Sequence, residues 1–140
     1  MTQTLDLRPS PIAGQWYPDN PSRLAASVDA YLETARLPKL NGELVAVMTP
    51  HAGHRYSGPV AGYAFAAVRG MQPNLVAVVS PMHYPAREPL LTSAHDAYVT
   101  PLGIIPVDHD AQQALDAYLQ VELGYGLATV RHDPEHSLEI

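Results

Sequence analysis

Apolar positions along the 140-residue chain fall into runs of different rhythm, and each rhythm predicts a different element. In DNPSRLAASVDAYLETARL, Leu24, Val28, Tyr31, Leu32 and Ala35 recur three or four positions apart, the spacing of one face of an α-helix. Asn20 offers a side-chain acceptor to the first free amides, and Pro21 suits the first helical position, where no amide partner is needed. The helix is expected to stop near Leu37, because Pro38 disfavours helical geometry in the residue before it. Two later stretches, LVAVM at 44–48 and LVAVV at 75–79, are apolar at every position instead of alternating. Continuous runs of that length predict strands of a parallel sheet covered on both faces. Between them, PVAGYAFAAVRG predicts a helix whose small residues, Ala61, Gly62, Ala64, Ala66 and Ala67, permit close packing on that sheet, with Gly70 as its stop. Strand, helix, strand is a right-handed crossover, and it brings the C-terminal ends of both strands to one edge. Further on, EPLLTSA, DAYVTPLG and IIPVD predict short strands and turns, DHDAQQALDAYLQ a helix capped by Asp108 or Asp110, and GLATVR another strand. The order as a whole predicts an α/β fold, a mainly parallel sheet flanked by helices, in a single domain over 1–140.

Composition narrows the classes without changing that picture. Hydrophobic residues make up 46% of the chain and charged ones 16%, ordinary values for a globular domain. The longest apolar runs are too short to span a bilayer, and the polar start MTQTLDLRPS lacks the apolar core of a signal peptide, so a cytoplasmic location is expected. The chain has no cysteine, which excludes disulfides and thiolate metal sites. A net charge of -6 with eight Lys plus Arg, spread without clustering, argues against a nucleic-acid partner or an anionic membrane surface. Small molecules and proteins are the partner classes left.

The candidate chemistry sits where the two apolar runs end. Each run closes on Thr-Pro or Ser-Pro and is followed by a histidine, His51 in TPHAG and His83 in SPMHYP. In open α/β sheets ligands bind beyond the C-terminal strand ends, so His51 is expected to face His83 across a crevice. Their ring nitrogens should then lie on the order of 3 to 4 Å apart when both hold one ion at about 2.1 Å. A lone histidine at a strand end is more often structural, bonded to backbone. Two together make a ligand pair for Fe(II), Zn or Cu, which a third carboxylate or histidine would complete. His54, three residues past His51, is a candidate further ligand or proton carrier. His95, His109 and His132 stand among polar residues and are expected to be solvated. The glycines of GHRYSG and GPVAG carry no phosphate-binding signature, and Ser57 lacks the frame of a nucleophile elbow.

Taken in order from Ile12 to the last residue, AGQWYPDNP, TPHAGHRYSGPVAGYAFAAV, SPMHYP, LTSAHDAYVTPLG, PVD and EHSLEI resemble the Memo family, which includes the B protein of the AmmeMemoRadiSam system and is related to the class III extradiol ring-cleavage dioxygenases. The resemblance implies the N-terminal half of a LigB-like three-layer fold, since family members continue well past the EHS motif and complete the metal site there. It implies that His51 and His83 bind metal, Fe(II) first and Cu or Zn as alternatives. It also sets Glu135 and His136 of the EHS motif near the same pocket. On the residues alone, capping of a helix start by Glu135 and Ser137 is an equally open reading. Two positions depart from the family pattern: His54, where relatives usually carry tyrosine, and Met82, where serine or threonine is usual. The function implied is an Fe(II)-dependent oxidoreductase acting on a small diol or aromatic substrate, with His136, Glu135 and His54 as catalytic candidates. The alternative is a non-catalytic metal- or ligand-binding adaptor of the same fold. Radical-SAM and AMMECR-type proteins are the implied partners. Apolar strand faces without a cover would add self-association, and two histidines without a dependable third ligand would bind metal weakly.

Overall fold

The computed structural model of the chain describes residues 4–131 and 133–140; His132, one of the three histidines expected at the surface, lies outside the described residues. The chain folds as two compact units, one built from 12–81 with 136–140 and the other from 4–11 with 82–135.

In the first unit, α1 (Pro21–Thr34) starts where the sequence predicts, with the Asn20 side chain accepting from the amide of Arg23 at 3.0 Å. It ends at Ala35, whose extended backbone stops the helix before Pro38 is reached. Leu24 on its inner face is buried with Ile12 and Tyr17, and Val28, Ala13 and Ile140 pack around them. α2 (His54–Ala67) begins five residues before the predicted start at Pro59. Pro59 lies in its second turn, where the ring removes one helical hydrogen bond, and this is why the sequence suggested a later start.

The small residues of α2 do serve close packing, but against α1 and not against a sheet. A methyl on Gly62 would lie 2.7 Å from the backbone oxygen of Tyr31, and one on Gly58 would run into the Tyr31 ring. The hydroxyl of Tyr31 donates to the carbonyl of His54 at 3.0 Å, tying the start of α2 to α1. The predicted parallel strands at 44–48 and 75–79 are corrected by the structure: neither stretch belongs to a ladder among the described residues. Val45, Met48 and Val79 are 90%, 94% and 95% exposed, so these runs lack the two covered faces that a parallel pair needs.

The second unit carries the sheets. Its elements are β1 (Leu7–Arg8), β2 (Leu91–Ser93), β3 (Ala97–Thr100), β4 (Gly103–Pro106), α3 (His109–Leu123) and β5 (Ala128–Val130). β3 and β4 form an antiparallel hairpin, and β1 joins the other side of β3 in parallel, with Arg8 opposite Tyr98. β2 and β5 form a separate parallel pair in which Thr92 lies opposite Thr129. For β3 and β4 the turn chemistry that predicted short strands was sufficient, because hairpin pairing is local and needs no crossover. Asp108 caps α3 by accepting from the amide of Ala111 at 2.8 Å, while Asp110 adds negative charge to its first turn. Gly124, left-handed at φ 77°, closes the helix. The fold is thus mixed α/β, and parallel pairing outnumbers antiparallel. No helix among the described residues is long and apolar enough to cross a membrane.

One expectation about this unit is reversed. His95, predicted to be solvated, is only 2% exposed. Its Nδ1 lies 3.1 Å from Asp6 Oδ1 and its Nε2 2.7 Å from Asp133 Oδ1. The polar residues around it in sequence do not report its surroundings, which come from remote stretches of chain. Both ring nitrogens thus face carboxylate oxygens, Asp6 at one and Asp133 at the other.

Candidate functional site

His83 stands just after the chain enters the second unit, with its side chain 38% exposed. Its partner is Glu135, which is buried. The two oxygens of that carboxylate divide the work: Oε2 accepts from the backbone amide of His83 at 2.6 Å, and Oε1 lies 2.9 Å from ring Nδ1. Glu135 therefore fixes both the backbone and the ring of His83.

Glu135 is itself held by Arg8. The guanidinium of Arg8 is buried and donates to the carbonyl of Glu135 and, at 3.1 Å, to that of Asp133. Because β1 sets Arg8 opposite Tyr98, the guanidinium also lies over the Tyr98 ring, 5.0 Å from its centre. Arg8 did not emerge from the sequence. It precedes the first family-like motif, and a strand of two residues leaves no periodicity to read.

The same stretch is anchored a second time through the His95 contacts. Asp6 receives the Arg131 guanidinium and His95, and its carboxyl is held down to about 2 from an ordinary 3.8, with Arg131 the larger cause. Asp96 is also lowered, chiefly by its hydrogen bond from the Asp6 amide at 2.7 Å and then by His109. His109 is exposed, as predicted, with its ring 3.1 Å from Asp96 Oδ1.

The other predicted site residues belong to the first unit. His51 is half-buried in the loop before α2. His54 opens α2, with its ring beside those of Tyr17 and Tyr31 at 5.3 and 6.3 Å between centres. Its Nδ1 is buried without a hydrogen-bond partner among the described residues. Desolvation lowers the His54 pKa below its ordinary value, against a smaller opposing effect of a hydrogen bond with the Ile140 backbone. His136 meets the Trp16 ring edge-on at 4.4 Å. Ser137 donates to the carbonyl of Pro81 at 2.6 Å and lies 2.8 Å from the Ser80 hydroxyl. Residues 137–139 form a turn, with the amides of Glu139 and Ile140 donating to the carbonyl of His136 at 3.0 and 3.1 Å.

The described residues thus make a mixed α/β protein in which a buried carboxylate grips a histidine from backbone to ring. This chain belongs to the Memo-like family: the sequence pattern described as "Memo-like protein" matches residues 8–140, beginning at Arg8. It is 28% identical over 141 residues to a MEMO1 family protein of Nitrosopumilus maritimus, covering 96% of this chain and 49% of that one. With a MEMO1 family protein of Pyrobaculum arsenaticum the identity is 30% over 142 residues, covering 96% and 49%. With the MEMO1 family protein MHO1 of Saccharomyces cerevisiae it is 32% over 145 residues, covering 97% and 42%. The chain spans about half the length of the curated relatives it matches.

Proposed function

We propose that this chain supplies the histidine ligands His83 and His51 to a divalent metal, Fe(II) first, and that the whole protein is an oxidoreductase acting on a small diol or aromatic substrate. The observation that carries the metal part is the grip of Glu135 on His83, since metal-bound imidazoles are regularly held by a carboxylate at their other nitrogen. Family membership supports the same residues through the motifs in which they stand. His136, which follows Glu135 in the EHS motif, is a candidate for a further donor. Cu and Zn suit the same nitrogen donors.

Fe(II) held there would supply open positions for dioxygen and for the two oxygens of a diol. The chain's own part is to hold His83 in one orientation and to manage a proton. His54 suits the handling of that proton, because burial favours its neutral ring and the unpartnered Nδ1 is an acceptor. A metal-binding protein without turnover would use the same residues, because fold and ligands alone do not establish activity.

Anaerobic titration of the chain with Fe(II), Cu(II) and Zn(II), read by metal bound at equilibrium dialysis, tests the binding. One equivalent retained by the wild type and lost from His83→Ala and His51→Ala is the expected result. Retention of none of the three metals would remove the proposal. Oxygen uptake with catechol then separates oxygenase from binding protein: a loaded chain that consumes no oxygen is the second.

A further inference from the structure

We propose that Glu135 is a positioning residue that selects the tautomer of His83, fixing the proton on Nδ1 so that Nε2 carries the lone pair. This rests on the reading of His83 as a metal ligand and adds how the ligand atom is chosen.

The proton's place follows from which groups can donate and which can only accept. A backbone amide can only donate, so the Glu135 oxygen 2.6 Å from the His83 amide is committed as an acceptor. The second oxygen, 2.9 Å from Nδ1, belongs to the same carboxylate and is equally an acceptor. Nδ1 must therefore bring the proton, and in the neutral ring the lone pair falls on Nε2. An uncommitted imidazole would share the proton between its nitrogens, and part of the population would present an N–H where a ligand atom is needed. Glu135 is well placed to enforce the choice. It is buried, its backbone is anchored by Arg8, and the amide contact prevents the carboxylate from turning away without losing a second bond.

Glutamate and glutamine differ at this position, although the two have nearly the same shape. In Glu135→Gln, the single amide oxygen must face the obligate backbone donor. The NH2 group then points at Nδ1 and donates to it, which drives the proton to Nε2 and blocks that atom as a ligand. A role limited to packing or backbone support would survive this change.

Two measurements test it. Nitrogen-15 spectra of the metal-free wild-type chain, labelled at histidine, should give His83 a protonated Nδ1 and an unprotonated Nε2. In Glu135→Gln the pattern should reverse, and metal affinity should fall roughly 10- to 100-fold. A wild-type His83 with its proton on Nε2 overturns the proposal, whether or not the variant folds. A folded Glu135→Gln with the wild-type tautomer and unchanged affinity overturns it too. If the tautomer reverses while the wild type binds no metal, Glu135 keeps its role and the metal reading is the one that fails.

Discussion

Replacing Gly62 by alanine should destabilise the chain, against the ordinary rule for a helix interior. Alanine in place of glycine normally gains about 0.8–1.0 kcal/mol there, because it has less backbone freedom to lose. At Gly62, however, the new methyl would lie 2.7 Å from the carbonyl oxygen of Tyr31, 2.9 Å from its carbonyl carbon and 3.0 Å from its Cβ. The first two are backbone atoms of α1, which cannot rotate aside as a side-chain tip can. Overpacking of this kind costs about 1–3 kcal/mol, and the rigid obstacle places Gly62 in the upper half of that range. The net expectation is a loss of about 1–2 kcal/mol. Urea unfolding followed by the fluorescence of Trp16, the single tryptophan, reads the unit that holds both helices. A double-mutant cycle identifies the cause. At Gly58 the obstacle is the Tyr31 ring, so Tyr31→Ala should abolish the cost of Gly58→Ala. It should leave the cost of Gly62→Ala largely in place. A stabilising Gly62→Ala, or a penalty that vanishes in the Tyr31→Ala background, would refute the proposed helix contact.

Removing the imidazole in His95→Ala should cost roughly 2–3 kcal/mol in chemical denaturation. That figure takes two charge-assisted contacts at about 1.5–3 kcal/mol each and discounts them because both carboxylates are partly exposed and rehydrate; a loss under about 0.5 kcal/mol would show that the clamp does not form. Acid unfolding provides an independent reading through Asp6. Its folded pKa is depressed to about 2 from 3.8, so its contribution is complete above the ordinary value and lost as pH falls from 3.8 towards 2. The stability of wild type relative to Asp6→Asn should therefore narrow across that window; a constant difference would contradict the Arg131 and His95 contacts.

What the sequence disclosed follows the range of the interaction involved. Asn20 and Asp108 were legible as caps because a cap is decided within three residues, and the β3–β4 hairpin because its turn is local. The runs at 44–48 and 75–79 misled because uniform apolarity states that a stretch suits burial, not that a partner covers it. The glycines of α2 announced close packing, yet nothing in their spacing could say that Tyr31 was the neighbour and not a sheet. At the site, His83 and Glu135 were both picked out, one by its place after an apolar run and the other by motif. Their contact spans 52 positions and has no periodic signature. His95 was misjudged for the same reason, since its carboxylate partners lie 89 and 38 positions away.

The bonds from Arg8 to the carbonyls of Asp133 and Glu135 link positions 125 and 127 residues apart. In the order of synthesis the sheet-bearing unit can close only after the 12–81 stretch of the other unit has been made. β1 leaves the ribosome first, but its strand partner arrives some ninety residues later, and the carbonyls that anchor Arg8 come later still. Most of the other unit lies between them as an uninterrupted stretch from 12 to 81, so α1 and α2 can dock while the N-terminal segment is still unpaired. Closing so large a loop slows folding far more than it weakens the finished structure, because loop entropy grows only with the logarithm of length. His83 therefore acquires its fixed orientation only after residue 135 has been added and the first strand has been drawn in beside β3.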